Sequence, residues 1–155
     1  MADILFLRGA PAFSAFRLQG LQQRIQALVP EAKIISADYQ HVVKLKAALD
    51  DEGRKQLSAL LEERTADNRE RGTLFFVTPR IGTISPWSSK ATDIAWNCGL
   101  AAIERIERGS AERIEVVPAA LKAQISAVLH DRMIETVLDD FTQSSELFRH
   151  FSPKP

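Results

Sequence analysis

The chain has 155 residues, and its 20 Lys and Arg are balanced by 20 Asp and Glu, so the formal net charge is zero. With 45% hydrophobic and 26% charged residues it reads as one globular domain; a chain of this size buries roughly two thirds of its unfolded surface. The charge balance argues against broad electrostatic binding to nucleic acid or anionic membrane, and the single cysteine, Cys98, excludes an intrachain disulfide framework and a thiolate metal cluster.

His41, His130 and His150 are far apart and show no ligand spacing. No apolar run approaches the roughly 20 residues of a membrane helix, and Met1-Ala2-Asp3 opens no signal peptide, so the expected setting is the cytoplasm.

Ile4 to Leu7 is a short apolar run ended by Arg8-Gly9-Ala10-Pro11, which predicts a buried strand. Leu18, Leu21, Ile25 and Leu28 then form one helical stripe, with Ser14 as N-cap and Pro30 beyond its end. Lys33 to Leu45 is rich in β-branched residues and reads as a long strand or a bent pair. Asp50-Asp51-Glu52 places negative charge at a helix start, and Leu57, Leu60 and Leu61 give that helix its stripe. Thr65 to Gly72 is a polar loop.

Thr73 to Val77 begins a second half with another buried strand. A loop from Ile81 to Pro86 leads to a helix carrying Ala91, Ile94, Ala95 and Cys98, closed by Gly99 in a Schellman ending. Ile103 to Arg108 and Glu112 to Val117 are expected to be two strands joined by a turn at Gly109-Ser110-Ala111. A helical face at Leu121, Ile125, Val128 and Leu129 follows, then a strand at Met133 to Leu138 and a short helix at Ser144 to Phe151. The whole predicts a single α+β domain over residues 1–155, with 152–155 as the start of a linker. Its two halves each run strand–helix–strand–strand–helix, with antiparallel sheet under helices on one face.

The segment from Arg80 to Leu100 carries most of the candidate chemistry. Ser88 or Ser89 is expected to cap the helix, and the helix N-terminus with Arg80 and Lys90 nearby offers an anion-binding alternative. No Gly-x-x-x-x-Gly-Lys or Gly-x-Gly-x-x-Gly cradle is present. Cys98, sharing a stripe with Ala91, Ile94 and Ala95, is expected to be buried and structural, although a Cys98–His130 nucleophile and base is the rival reading.

In the same segment, Thr78-Pro79-Arg80, Gly82 to Ile94, Asn97-Cys98-Gly99-Leu100 and Arg105 to Gly109 resemble the N-terminal domain of bacterial large-type phosphoribosylformylglycinamidine synthase. Leu7 to Ser14 and Leu129-His130-Asp131-Arg132-Met133 match as well, whereas Ile81 stands where proline is common and Trp96 where a polar residue, often histidine, is expected. The resemblance implies a pseudo-dimer of the small separate subunit of split versions of that enzyme. It also implies a non-catalytic role, organising the synthetase and glutaminase domains that lie downstream. The whole enzyme is an ATP- and glutamine-dependent ligase of purine biosynthesis, using ATP and magnesium; no catalytic, cofactor or metal residue carries over to this chain. The loop residues Arg80, Thr83, Ser85, Trp87, Ser88, Ser89 and Lys90 are expected to form the docking surface toward those domains. The alternative is a small anion- or nucleotide-binding module using the same loop.

Overall fold

The computed structural model describes residues 4–64, 72–80, 84–131, 133–141 and 143. Its elements are β1 (Ile4–Pro11), α1 (Ala15–Gln26), β2 (Lys33–Leu45), α2 (Asp51–Leu60), β3 (Thr73–Pro79), α3 (Pro86–Asn97) and β4 (Ile103–Glu115), then a 3-10 turn (Ala119–Leu121), α4 (Lys122–Leu129) and β5 (Glu135–Leu138). The strands form one sheet in the order β1-β2-β4-β3-β5, and every neighbouring pair is antiparallel. The α+β class read from the sequence is therefore the class observed. The terminal helix and linker expected beyond Ser144 lie outside the described residues, as does most of the loop after Thr65.

One expectation is corrected at the centre of the sheet. Gly109-Ser110-Ala111 is not a turn, because β4 runs straight through it and pairs with β2 from Lys33↔Glu115 to Leu45↔Ile103. Gly109 is needed for a close approach instead. A Cβ there would lie 2.4 Å from Phe76 Cε1 and 2.6 Å from the Val77 carbonyl oxygen. Glycine inside a strand has either meaning, and one sequence does not separate them. With β4 whole, the two halves match more closely than the sequence suggested. Each has a shorter strand, a helix, a strand of 13 residues and another helix. The long strands pair at the centre and the shorter ones flank them, an arrangement consistent with the expected pseudo-twofold.

Side chains alternate across the sheet, so Ile106 and Ile114 of β4 share a face. Near one end of it, Leu7, Val43 and Ile106 pack against Leu57 of α2 and Ala95 of α3. Near the other, Phe75, Val77 and Ile114 pack against Ile25 of α1 and Ile125 of α4. Each helix pair thus combines one helix from each half. The opposite face buries Val42, Phe76, Ala111 and Leu138, with Phe6 and Phe141 packed on them.

Helix starts follow local chemistry. Ser14 Oγ accepts from Arg17 N at 3.2 Å, and Asp50 Oδ1 from Gly53 N at 2.7 Å. On α3 the cap is Ser85, not Ser88 or Ser89: its Oγ accepts from Ser88 N at 3.0 Å, and Pro86 takes the first helical position, where its missing N–H costs nothing.

The helices also close sheet edges. β3 pairs with β4 only over residues 110–114, which leaves the first half of β4 without a strand on that side. There α3 supplies the partners. Ser88 Oγ donates to the Ile106 carbonyl, Ile106 N donates to Thr92 Oγ1 at 3.1 Å, and Trp96 Nε1 donates to the Ile103 carbonyl at 2.7 Å. At the start of β2, α1 does the same: Gln22 Oε1 accepts from Ile34 N, and Gln26 donates to the carbonyl of Ala32 just before the strand. Open edges invite pairing with other chains, and these side chains occupy them. Trp96 thus has a structural use for its N–H donor. Trp96→Phe keeps an aromatic ring but removes that bond, and is expected to lower stability by about 1 kcal/mol in urea unfolding.

Candidate functional site

The segment singled out from the sequence divides once its contacts are drawn. Arg80, Ser89 and Lys90 are exposed. Ser88 is fully buried, and its hydroxyl is committed to Ile106, with Arg105 Nε donating to it at 3.1 Å. Ser85 caps α3 and donates to Glu107 Oε1 at 2.8 Å. Arg105 and Glu107 complete this network with an ion pair of 2.6 Å. Trp87 is half-buried: its ring stacks on His41 at 5.6 Å, and the Arg108 guanidinium lies 4.4 Å above it. Thr83 and Ile81 lie outside the described residues. The anion-binding alternative for this loop loses one donor, since the Ser88 N–H already faces Ser85.

Cys98 is exposed, which corrects the expectation that it is buried. The inward residues of α3 are Ser88, Thr92 and Ala95, and Cys98 follows the helix as its C-cap, turned out of that stripe. It is accordingly expected to react with a maleimide in the folded chain as readily as an open peptide thiol, measured by mass shift against time. His130 follows α4, and its Nδ1 is 2.6 Å from the Ser126 carbonyl. The two residues end helices belonging to different helix pairs. His41 is buried in β2, and burial, with the Arg108 charge adding to it, lowers its pKa to about 4. It is a neutral side chain at ordinary pH.

A second arrangement was not singled out from the sequence. Between the apolar residues Ile106 and Ile114, the helix-facing positions of β4 are Arg108, Ser110 and Glu112. Over them lies a cleft of about 760 Å³, bounded by Phe13 and Arg17 near the start of α1 and by Ile84 and Pro86 at the entry to α3. Tyr39, beside Arg108, has that guanidinium 4.1 Å over its ring. Glu112 is 1% exposed, yet neither of its carboxyl oxygens has a hydrogen-bond partner among the described residues; the same is true of Ser110 Oγ. Burial first, and the neighbouring charge of Glu135 second, raise the Glu112 pKa to about 8. Ser110, whose hydroxyl stops short of a hydrogen bond, and Arg17 offset only part of this. The carboxyl is therefore held neutral at pH 7. A signal for this was present in the sequence: Arg108-x-Ser110-x-Glu112 puts three polar groups on the face that Ile106 and Ile114 make apolar. Reading a turn at Gly109 broke that alternation and hid it.

One five-stranded antiparallel sheet, with helices paired across its two halves and a cleft between the pairs, defines an α+β domain. Residues 38–148 match the family described as Formylglycinamide ribonucleotide amidotransferase N-terminal, and the chain belongs to that family. The match runs from within β2 past the end of β5, so it takes in all of β4 with the cleft floor and the part of β2 from Asp38 on. Among the described residues no group of three or more His, Cys, Asp or Glu is placed to hold a metal ion, and no helix is long and apolar enough to cross a membrane.

Proposed function

We propose that this chain is the non-catalytic assembly domain of a formylglycinamide ribonucleotide amidotransferase, organising synthetase and glutaminase domains that belong to the same polypeptide. The observation that carries this reading is the family match across residues 38–148. On this reading the complete enzyme converts formylglycinamide ribonucleotide to the amidine in purine biosynthesis, in the cytoplasm, with ATP, magnesium and glutamine handled by the downstream domains. This chain contributes surface and rigidity. Its docking surface includes the exposed Arg80, Ser89 and Lys90 around the accessible part of Trp87, with Ser85 and Ser88 fixing the helix that carries them. The surface continues over the mouth of the cleft, where Met133 and Ile134 are 73% and 64% exposed. Large apolar side chains grouped in this way are a common mark of a contact surface.

The test is complementation. The chain is added to a synthase from which the corresponding N-terminal region has been removed, and glutamine-dependent and ammonia-dependent amidine formation are measured. The chain alone is expected to show no glutamine-dependent ATP turnover, and to restore glutamine-dependent synthesis when added. Met133→Glu is expected to leave the chain's own stability within about 0.5 kcal/mol, as for exposed positions generally, and to weaken complementation about tenfold or more, the cost of losing an interface anchor. Glutamine-dependent turnover by the pure chain would contradict the proposal.

A further inference from the structure

We propose that the cleft over Arg108, Ser110 and Glu112 is a binding site for a small organic anion that also carries a hydroxyl or carboxamide group. The argument starts from what the cleft leaves unmatched. A buried carboxyl without a hydrogen-bond partner is costly, and native structures contain few such groups. Here both oxygens of Glu112 and the Ser110 hydroxyl two residues away are in that condition, and both residues line the same cleft. Held neutral, the Glu112 carboxyl can donate one hydrogen bond and accept others, so it does not repel an anion.

Arg108 supplies the complementary charge. Its guanidinium carbon lies 4.1 Å from the centre of the Tyr39 ring and 4.4 Å from that of Trp87, aromatic contacts that hold the cation in place. No ion pair to its side chain is present among the described residues, unlike Arg8, Arg54 and Arg105, which each face a carboxylate. A planar guanidinium whose N–H groups have no hydrogen-bond partner among the described residues matches a carboxylate or a phosphate. The cleft, at about 760 Å³, falls within the range of small-molecule sites. Phe13 and Ile84 add apolar walls. The combination is one cation, one neutral carboxyl, one hydroxyl and apolar sides. It selects an anion with a polar neutral group over a bare ion or a cation. Whether the anion is a carboxylate or a phosphate is left to two probes.

The full chain, labelled for NMR, is titrated with glycolate, with glycerol 3-phosphate and with inorganic phosphate. The Arg108 Nε–H, the Glu112 carboxyl carbon and the amides of 108–112 are followed. Glycolate or glycerol 3-phosphate is expected to give saturable shifts at all three places, with half-saturation below about 1 mM. Arg108→Met, which keeps an unbranched apolar stem and removes the charge, is expected to weaken binding more than tenfold. Glu112→Gln, which preserves a neutral donor and acceptor, is expected to retain affinity within about threefold, whereas Glu112→Leu loses about tenfold, the cost of a missing hydrogen-bonding group. Absence of saturation up to about 10 mM of either organic probe, far weaker than a built site gives, means that water alone serves Glu112, and refutes the site. Equal affinity in Arg108→Met also refutes it. So does inorganic phosphate binding as tightly as glycerol 3-phosphate, since the neutral groups then contribute nothing.

Discussion

Gly109→Ala is expected to destabilise the chain by about 1–3 kcal/mol, the range for forcing atoms into a packed core. The added methyl would meet Phe76 Cε1 at 2.4 Å and the Val77 carbonyl oxygen at 2.6 Å. Neither contact relaxes cheaply. The carbonyl belongs to the backbone of β3, and Phe76 is fully buried with its ring edge-on to Phe141 at 5.0 Å. The shift must therefore be taken by the β3–β4 pairing itself. Gly20→Ala is the control. It lies within α1 with nothing within 4 Å of its added Cβ, so helix propensity acts alone and the variant is expected to gain about 0.5–1 kcal/mol. Opposite signs in urea unfolding would show that position matters and not the loss of glycine as such. An unchanged midpoint for Gly109→Ala would mean that residue 109 sits in an open turn, and the continuous β4 would be wrong.

That glycine also marks the limit of what was legible in the sequence. Helix starts at Ser14 and Asp50 could be read because a capping side chain acts within three residues. The strands from Ile4 and Thr73 can be read because burial shows in short apolar runs, whereas of the strand expected at Met133–Leu138 only Glu135–Leu138 forms and Met133 and Ile134 stay exposed. Sequence points to Ser88 or Ser89 as the cap of α3, and Ser85 takes the role, because several hydroxyls compete there. Only the contact of Ser88 with Ile106, eighteen residues away, decides between them. Helical spacing with Ile94 and Ala95 predicts an inward Cys98. The helix ends just before it, and periodicity says nothing about a residue past the end. The cleft was missed for a related reason. Whether Arg108, Ser110 and Glu112 share a face depends on the strand being unbroken, and whether that face is open depends on how two helix pairs part. Neither is a local property of the chain.

The stability of the chain is expected to be nearly level between about pH 4.5 and 6.5 and then to fall between about 6.5 and 8. Two buried groups produce this shape. Glu112 ionises near its ordinary 4.5 when unfolded, but folded it keeps its proton to about pH 8, because burial and then Glu135 disfavour the carboxylate. Between those values the folded state holds a proton that the unfolded state has lost, so stability falls as pH rises. His41 has the opposite sign. Unfolded, it titrates near 6.5, whereas folded it stays neutral down to about 4, chiefly through burial. Between those values the unfolded state holds the extra proton, so stability rises with pH. Each slope is a little over 1 kcal/mol per pH unit, and the two cancel where their windows overlap. Above about 6.5 only Glu112 remains, and it removes about 2 kcal/mol by pH 8. Glu63, held below 4.5 first by its hydrogen bond from Arg54, acts only at lower pH. Urea unfolding at half-unit steps from pH 4 to 9 reads the curve directly. Glu112→Gln separates the two contributions: with an uncharged side chain at 112, stability should rise from about pH 4.5 to 6.5 through His41 and stay level from there to 9. If wild type and Glu112→Gln give parallel curves above pH 6.5, Glu112 is ionised in the folded chain. The neutral carboxyl beneath the cleft then fails, and the binding chemistry built on it fails too.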